Sequence, residues 1–242
     1  DHYGAVAHLW RRLRAPIYCT PFTAALLRER LDEAGLTREV PVHVVRPGER
    51  FAVGPFDLEF IRLTHSIPEP NAVAIRTAAG LAVHTGDWKI DDEPVVGERI
   101  DEDRLRALGD EGVRALICDS TNATKDAEAG TEGSVRDSMA ELLAGYDKRI
   151  AVACFASNVA RGKTLAEVAQ RLGRRPVLVG RSLRRISAAA REVGWLGDDI
   201  VFVDDREARH LRREETLLIC TGSQGEPRAA LSRIAIEDHP HV

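Results

Sequence analysis

An α/β fold in two successive parts is predicted by three observations. Residues 40–84 hold successive β-prone runs separated by Pro47-Gly48, Gly54-Pro55 and Ala79-Gly80, which marks a strand-rich layer with few helices. After Asp119 the rhythm changes to helical stretches alternating with short apolar strands, the pattern of parallel βαβ units. Residues 124–133 between them are polar and contain glycine, which places a boundary there. Residues 1–122 read as an incomplete α/β sandwich, and residues 123–242 as an incomplete doubly wound parallel sheet.

Val6, Leu9, Trp10 and Leu13 fall at helical spacing and predict an amphipathic first helix. Ile17-Tyr18-Cys19 is a short strand. Thr20 then caps a helix with Pro21 at its first position, and Gly35 ends it. Residues 40–45, 50–53, 56–63, 72–77 and 81–84 are strands, and Leu116 to Cys118 is another. In the second part helices near 135–144, 165–172 and 183–192 alternate with strands at 150–154, 176–179 and 200–203. A last strand follows at 216–220.

At 242 residues the chain is long enough for one large or two ordinary domains. Apolar residues at 44% and charged residues at 30% mark a globular chain rather than a disordered one. No apolar run approaches the ~18 residues of a membrane span, and the mixture of Trp10 with Arg11, Arg12 and Arg14 is no signal peptide. The first residue is Asp, so a non-native start is expected. Cys19, Cys118, Cys154 and Cys220 form no C-x-x-C pair and are expected to be buried thiols in a reducing cytoplasm. A net charge of −4 provides no overall basic footprint for nucleic acid, although a local arginine groove on an acidic protein can still neutralise phosphates.

The chemistry-bearing residues stand just past predicted strands. Asp1-His2 opens the chain, followed by Thr64-His65-Ser66, His84-Thr85-Gly86-Asp87 and Cys118-Asp119-Ser120-Thr121-Asn122. Further on come Phe155-Ala156-Ser157-Asn158 and Thr221-Gly222-Ser223-Gln224-Gly225-Glu226. Imidazoles and carboxylates on strand ends and loops suit zinc. Singly each has a plain structural reading, since a lone histidine at a strand end is more often a cap or a core residue than a ligand.

Taken in order, these segments resemble the metallo-β-lactamase-fold ribonucleases with a β-CASP insertion, most closely the ribonuclease J group. The resemblance implies a partial metallo-β-lactamase αββα sandwich followed by a parallel-sheet β-CASP domain. It also implies a zinc-dependent ribonuclease that hydrolyses RNA phosphodiesters, as a 5′–3′ exonuclease with endonuclease capability in RNA processing and decay. Two Zn²⁺ ions are implied, with Mg²⁺ or Mn²⁺ as alternatives.

In that resemblance Asp1, His2, His65 and Asp87 are metal ligands, and Asp87 bridges the two ions. Asp1, Asp87 and Asp119 form the catalytic set, with Asp119 orienting a ligand or the attacking water. The leading histidines of the family's first motif would precede residue 1, and its later histidine motifs would follow Val242. The chain by itself is therefore expected to be inactive. His84 is assigned to capping or packing, because the family uses Asp87. His8 lies six residues from His2 on the first helix and faces elsewhere. His43, His210, His239 and His241 carry no motif and are expected to be solvated.

Ser157 and Asn158 start a helix after a strand, where backbone N–H groups suit an anion, and Arg161 lies one turn in. Gly180-Arg181-Ser182 and the Ser223-Gln224 loop repeat the arrangement at two further strand ends. Three such loops on parallel strands should converge on one crevice, where the resemblance places the 5′-phosphate of RNA. The plain alternative is an N-cap by Ser157 or Asn158. Gly162-Lys163-Thr164 is not a P-loop, because the glycine required five residues earlier is Ser157.

Two other classes compete: a non-catalytic RNA-binding module, and a β-CASP nuclease acting on another nucleic acid. A small-molecule hydrolase shares the first part only. The implied partner is RNA with no membrane, in a homodimer or tetramer of the intact parent.

Overall fold

The computed structural model describes residues 2–126 and 129–242, so the expected ligand Asp1 lies outside the described residues. The chain forms two compact units, Asp1–Gly130 and Thr131–Val242.

In the first unit α1 (Val6–Leu13) leads to β1 (Ile17–Cys19), which pairs in parallel with β2 (Val42–Val44). Between them runs α2 (Pro21–Glu33), with Thr20 extended at the N-cap and Pro21 at the first position, where its missing N–H costs nothing. Gly35 at φ +67° follows the helix, a conformation that favours glycine. Helix α1 forms as an amphipathic helix, but its apolar side is only partly covered. Val6 and Trp10 pack against the α2 core, but Leu9 and Leu13 are exposed.

A five-stranded sheet follows in the order β3 (Arg50–Val53), β4 (Phe56–Arg62), β5 (Asn71–Thr77), β6 (Gly80–His84) and β7 (Val113–Ile117). The first four strands form an antiparallel meander, while β7 runs parallel to β6. One face buries Ile61, Leu63, Ala72, Ala74, Leu81 and Val83 against Leu108 of α3 (Glu102–Glu111). Sequence patterning missed α3, because its EDRLRALGDE segment is mostly charged and offers only Leu105 and Leu108 to the core. Asp101 supplies the start signal, its Oδ1 accepting the Arg104 N–H at 3.1 Å.

Glu59, on β4, is nearly buried and receives Arg104 at 2.5 and 2.8 Å and Arg76 at 2.9 Å. Glu111 completes the network from α3. The edge strand β7 is exposed throughout, and Cys118 just beyond it is exposed too, contrary to the buried thiol expected there.

The second unit is a parallel sheet in the order β10-β9-β11-β8. It alternates α4 (Glu132–Ala144), β8 (Ile150–Ala153), α5 (Val159–Arg171), β9 (Arg175–Val179) and α6 (Arg181–Glu192). The short β10 (Val203–Asp204) and α7 (Asp205–Ala208), then β11 (Thr216–Cys220) and α8 (Ala230–Ala235), complete it. The β11 run TLLIC is buried along its whole length. Its alternate residues serve two cores, as the two-residue period of a strand requires. Leu217 and Ile219 join Leu165 and Val168 of α5, whereas Leu218 and Cys220 join Val177, Val179 and Ala230.

The strand expected at 200–203 is reduced to Val203–Asp204. The Ile200 carbonyl instead accepts the Arg191 guanidinium at 2.6 Å, which takes it out of the ladder. His239 and His241 also depart from expectation. The His239 side chain is only 6% exposed and faces Asp205 at 3.9 Å, with His241 edge-on to it. Burial pushes the Cys154 thiol up to about 11 and the Cys220 thiol up to about 12, so both stay protonated and unreactive. Among the described residues no helix is long and apolar enough to cross a membrane.

Candidate functional site

Strand β6 ends at His84, and the chain bends at once through Thr85 and Gly86 to Asp87. Gly86 adopts φ +63°, which aims the following carboxylate back toward the sheet end. The Gly86 N–H donates to Nδ1 of His84 at 3.0 Å. The loop after β4 is tied to the same place, because Lys89 N–H donates to the Thr64 carbonyl at 2.9 Å and the Thr64 hydroxyl donates to the Lys89 carbonyl at 2.5 Å. These bonds hold His65 close to Asp87.

His2 approaches from the chain start, its Nε2 3.2 Å from Asp87 Oδ2. Burial holds the His65 imidazole below its ordinary pKa, against the opposing pull of the Asp87 and Asp119 carboxylates and with Lys89 adding to the depression. A neutral imidazole keeps the lone pair that a metal needs. The Asp119 carboxyl is held below the usual range, first by the Thr121 hydroxyl and then by the Thr121 N–H. The Asp119 N–H donates to Thr85 Oγ1 at 3.1 Å, which fixes this loop to the one that carries Asp87.

Imidazole and carboxylate form a donor set that suits zinc. Two ligands of one tetrahedral ion with bonds near 2.0–2.1 Å stand about 3.3 Å apart, close to the His2–Asp87 separation. Among the described residues no three His, Cys, Asp or Glu side chains close into a ready cage. His2, His65, Asp87 and Asp119 are gathered at one end of the sheet, and Asp1 lies outside the described residues.

In the second unit the loops after β8, β9 and β11 leave the same edge of three adjacent parallel strands. They touch: Cys154 N–H donates to the Cys220 carbonyl at 3.0 Å, and Thr221 N–H to the Val179 carbonyl at 3.4 Å. Gly180, at φ +129°, packs so closely that an added Cβ would stand 3.1 Å from Thr221 Oγ1. Asn158, not Ser157, is the N-cap of α5, its Oδ1 accepting Arg161 N–H at 2.8 Å. The Arg161 guanidinium is engaged by the buried Glu132 at 3.2 and 3.3 Å, a partner the sequence did not reveal. Arg181, Ser182, Ser223 and Gln224 are exposed, and Gln224 N–H donates to Glu226 Oε2 at 3.1 Å. Lys163 lies inside α5, four residues from Glu167, at 4.0 Å.

Comparison with known proteins gives consistent matches. Residues 147–242 match the family model "Ribonuclease J, beta-CASP domain". The whole chain is 43% identical to ribonuclease J of Sinorhizobium meliloti and covers 43% of that protein. It is 40% identical to ribonuclease J of Mycobacterium tuberculosis and 38% identical to ribonuclease J 1 of Streptococcus pyogenes, again covering 43% of each. The chain thus spans under half the length of these curated relatives. In fold it resembles the crystal structure of a protein of unknown function from Enterococcus faecalis. That match has a TM-score of 0.57 at 13% identity and covers 85% of this chain and 53% of that one.

Proposed function

We propose, from the premise that this chain is a ribonuclease J-like sequence with a β-CASP domain, that it serves a metal-dependent ribonuclease hydrolysing RNA phosphodiesters. The observation that carries this reading is the contact of His2 with Asp87, beside His65 and Asp119, at the end of one sheet. In this reading residues 1–122 belong to a metallo-β-lactamase-like part, with Asp1, His2, His65 and Asp87 as ligands of zinc. Zinc held there would supply activation of a water and neutralisation of phosphate charge. The chain's own residues orient that chemistry. His65, whose pKa is lowered by burial, and Asp87 would be the groups that hold the metal, and Asp119 sets a hydrogen-bond acceptor beside them.

Residues 123–242 would hold the RNA end. The adjoining loops after β8, β9 and β11 present Ser157, Arg181, Ser182, Ser223 and Gln224 on one edge of a parallel sheet, where phosphate recognition is favoured. This supports attack from a 5′-monophosphate end, with internal cleavage of unstructured RNA as a second mode. Arg161 would help only on leaving Glu132, so its part is the weaker one.

The test uses the full-length protein that contains this chain, purified free of host nucleases. Degradation of 5′-labelled RNA should require divalent metal, stop with a chelator and return with Zn²⁺ or Mn²⁺. Metal-independent cleavage would overturn the reading.

A further inference from the structure

We propose that His84 and Thr85 are positioning residues, which hold Asp87 and Asp119 in place for metal without touching the metal themselves. This rests on the metallonuclease reading above. A plain strand end needs neither side chain, yet both are spent on backbone groups of the two acidic loops. Nδ1 of His84 accepts the Gly86 N–H at 3.0 Å, closing a turn one residue before Asp87. That acceptor role puts the ring proton on Nε2. Thr85 makes a double link: its Oγ1 donates to the Gly86 carbonyl at 2.7 Å and accepts the Asp119 N–H at 3.1 Å. Its own N–H donates to the Ile117 carbonyl at 2.9 Å, which continues the β6–β7 pairing by one step.

Gly86 between them sits at φ +63°, a conformation available to a flexible residue but not imposed by it. Without these bonds the bend that aims Asp87 would be free to sample other orientations. His84 is exposed and outside the buried cores, so packing does not account for its geometry. Partners of this kind usually change metal affinity by about 10–100-fold when removed.

The experiment uses the 242-residue chain and Co²⁺ alone as probe. Amide exchange of Gly86 and Asp119 is followed by NMR, and Co²⁺ affinity by paramagnetic broadening of the His65 ring. His84→Ala should speed Gly86 exchange and weaken Co²⁺ binding about tenfold or more. His84→Asn, whose side-chain oxygen can close the same turn, should restore both. Thr85→Val should speed Asp119 exchange and weaken Co²⁺ similarly, with Thr85→Ser restoring it. Faster Gly86 exchange with unchanged Co²⁺ affinity overturns the positioning role, as does His84→Ala exchange equal to wild type. The metal reading is tested separately, because Asp87→Ala must abolish broadening. A Co²⁺ response identical in wild type and Asp87→Ala would sink that reading itself.

Discussion

Nε2 of His2 lies 3.2 Å from Oδ2 of Asp87, joining the first residues of the chain to the bend after β6. Neither residue is buried, and an exposed imidazole–carboxylate pair has little value as a stabilising contact. Its interest is positional. Two donors at this spacing can turn onto one cation with little backbone movement, which ties the start of the chain to the site.

Asp87→Ala in the full-length protein should abolish RNA cleavage while leaving RNA binding mostly in place. In the proposed reading, removing the carboxylate would take away a negatively charged ligand that the metal needs in order to stay bound and act on the phosphodiester. Cleavage rates and filter-binding affinities measured on one RNA decide it. Near-normal turnover would remove Asp87 from the catalytic set.

The loops of the second unit predict a preference for 5′-monophosphorylated over 5′-triphosphorylated RNA. Neutral donors and one arginine can satisfy a single phosphate, whereas further phosphates would be desolvated without partners. Ser157→Ala combined with Arg181→Ala should erase the preference and spare internal cleavage. Rates on monophosphorylated, triphosphorylated and circular RNA check this, and equal wild-type rates on all three would leave these loops as ordinary caps.

Glu59 predicts acid sensitivity of the first unit. Hydrogen bonds from Arg104, and then from Arg76, hold its carboxyl below the ordinary 4.5 despite burial. A depressed carboxyl stabilises the fold above its unfolded pKa, and that contribution is lost as pH falls from about 4.5 through the folded value. Glu59→Gln should cost about 1–3 kcal/mol at pH 7, since Arg76 and Arg104 keep Glu111. The gap between wild type and variant should narrow below pH 4. Urea midpoints at pH 7 and pH 3 measure both, and a gap independent of pH would contradict the assignment.

Arg174 predicts a stability effect in the second unit. Its buried guanidinium donates to the carbonyls of Lys148 at 2.7 Å and Thr216 at 3.3 Å, and to that of Tyr146. It thus gathers the starts of β8 and β11 without a carboxylate partner among these bonds. Arg174→Ala should cost about 2–4 kcal/mol, because charged hydrogen bonds of roughly 1.5–3 kcal/mol each do not add fully. Thermal unfolding that is unchanged within a degree would show the carbonyls to be satisfied by water.

Strand and helix positions with a strong apolar period were legible in the sequence. The buried TLLIC strand and the Thr20-Pro21 helix start needed no knowledge of their neighbours. The same holds for the order of His65, Asp87 and Asp119 past β4, β6 and β7, because strand ends and turn residues are written locally. Helix α3 was not legible, since a helix that buries only Leu105 and Leu108 carries too weak a period. Exposure of Leu9, Leu13 and Cys118 was decided by what lies across from them, which periodicity does not encode. The engagement of Arg161 by Glu132, the burial of His239 beside Asp205 and the grip of His84 on Gly86 are likewise tertiary facts. A sequence determines which groups can pair. Only the fold brings one acceptor within hydrogen-bond reach of one donor, and here it set the Arg161 guanidinium beside the Glu132 carboxylate.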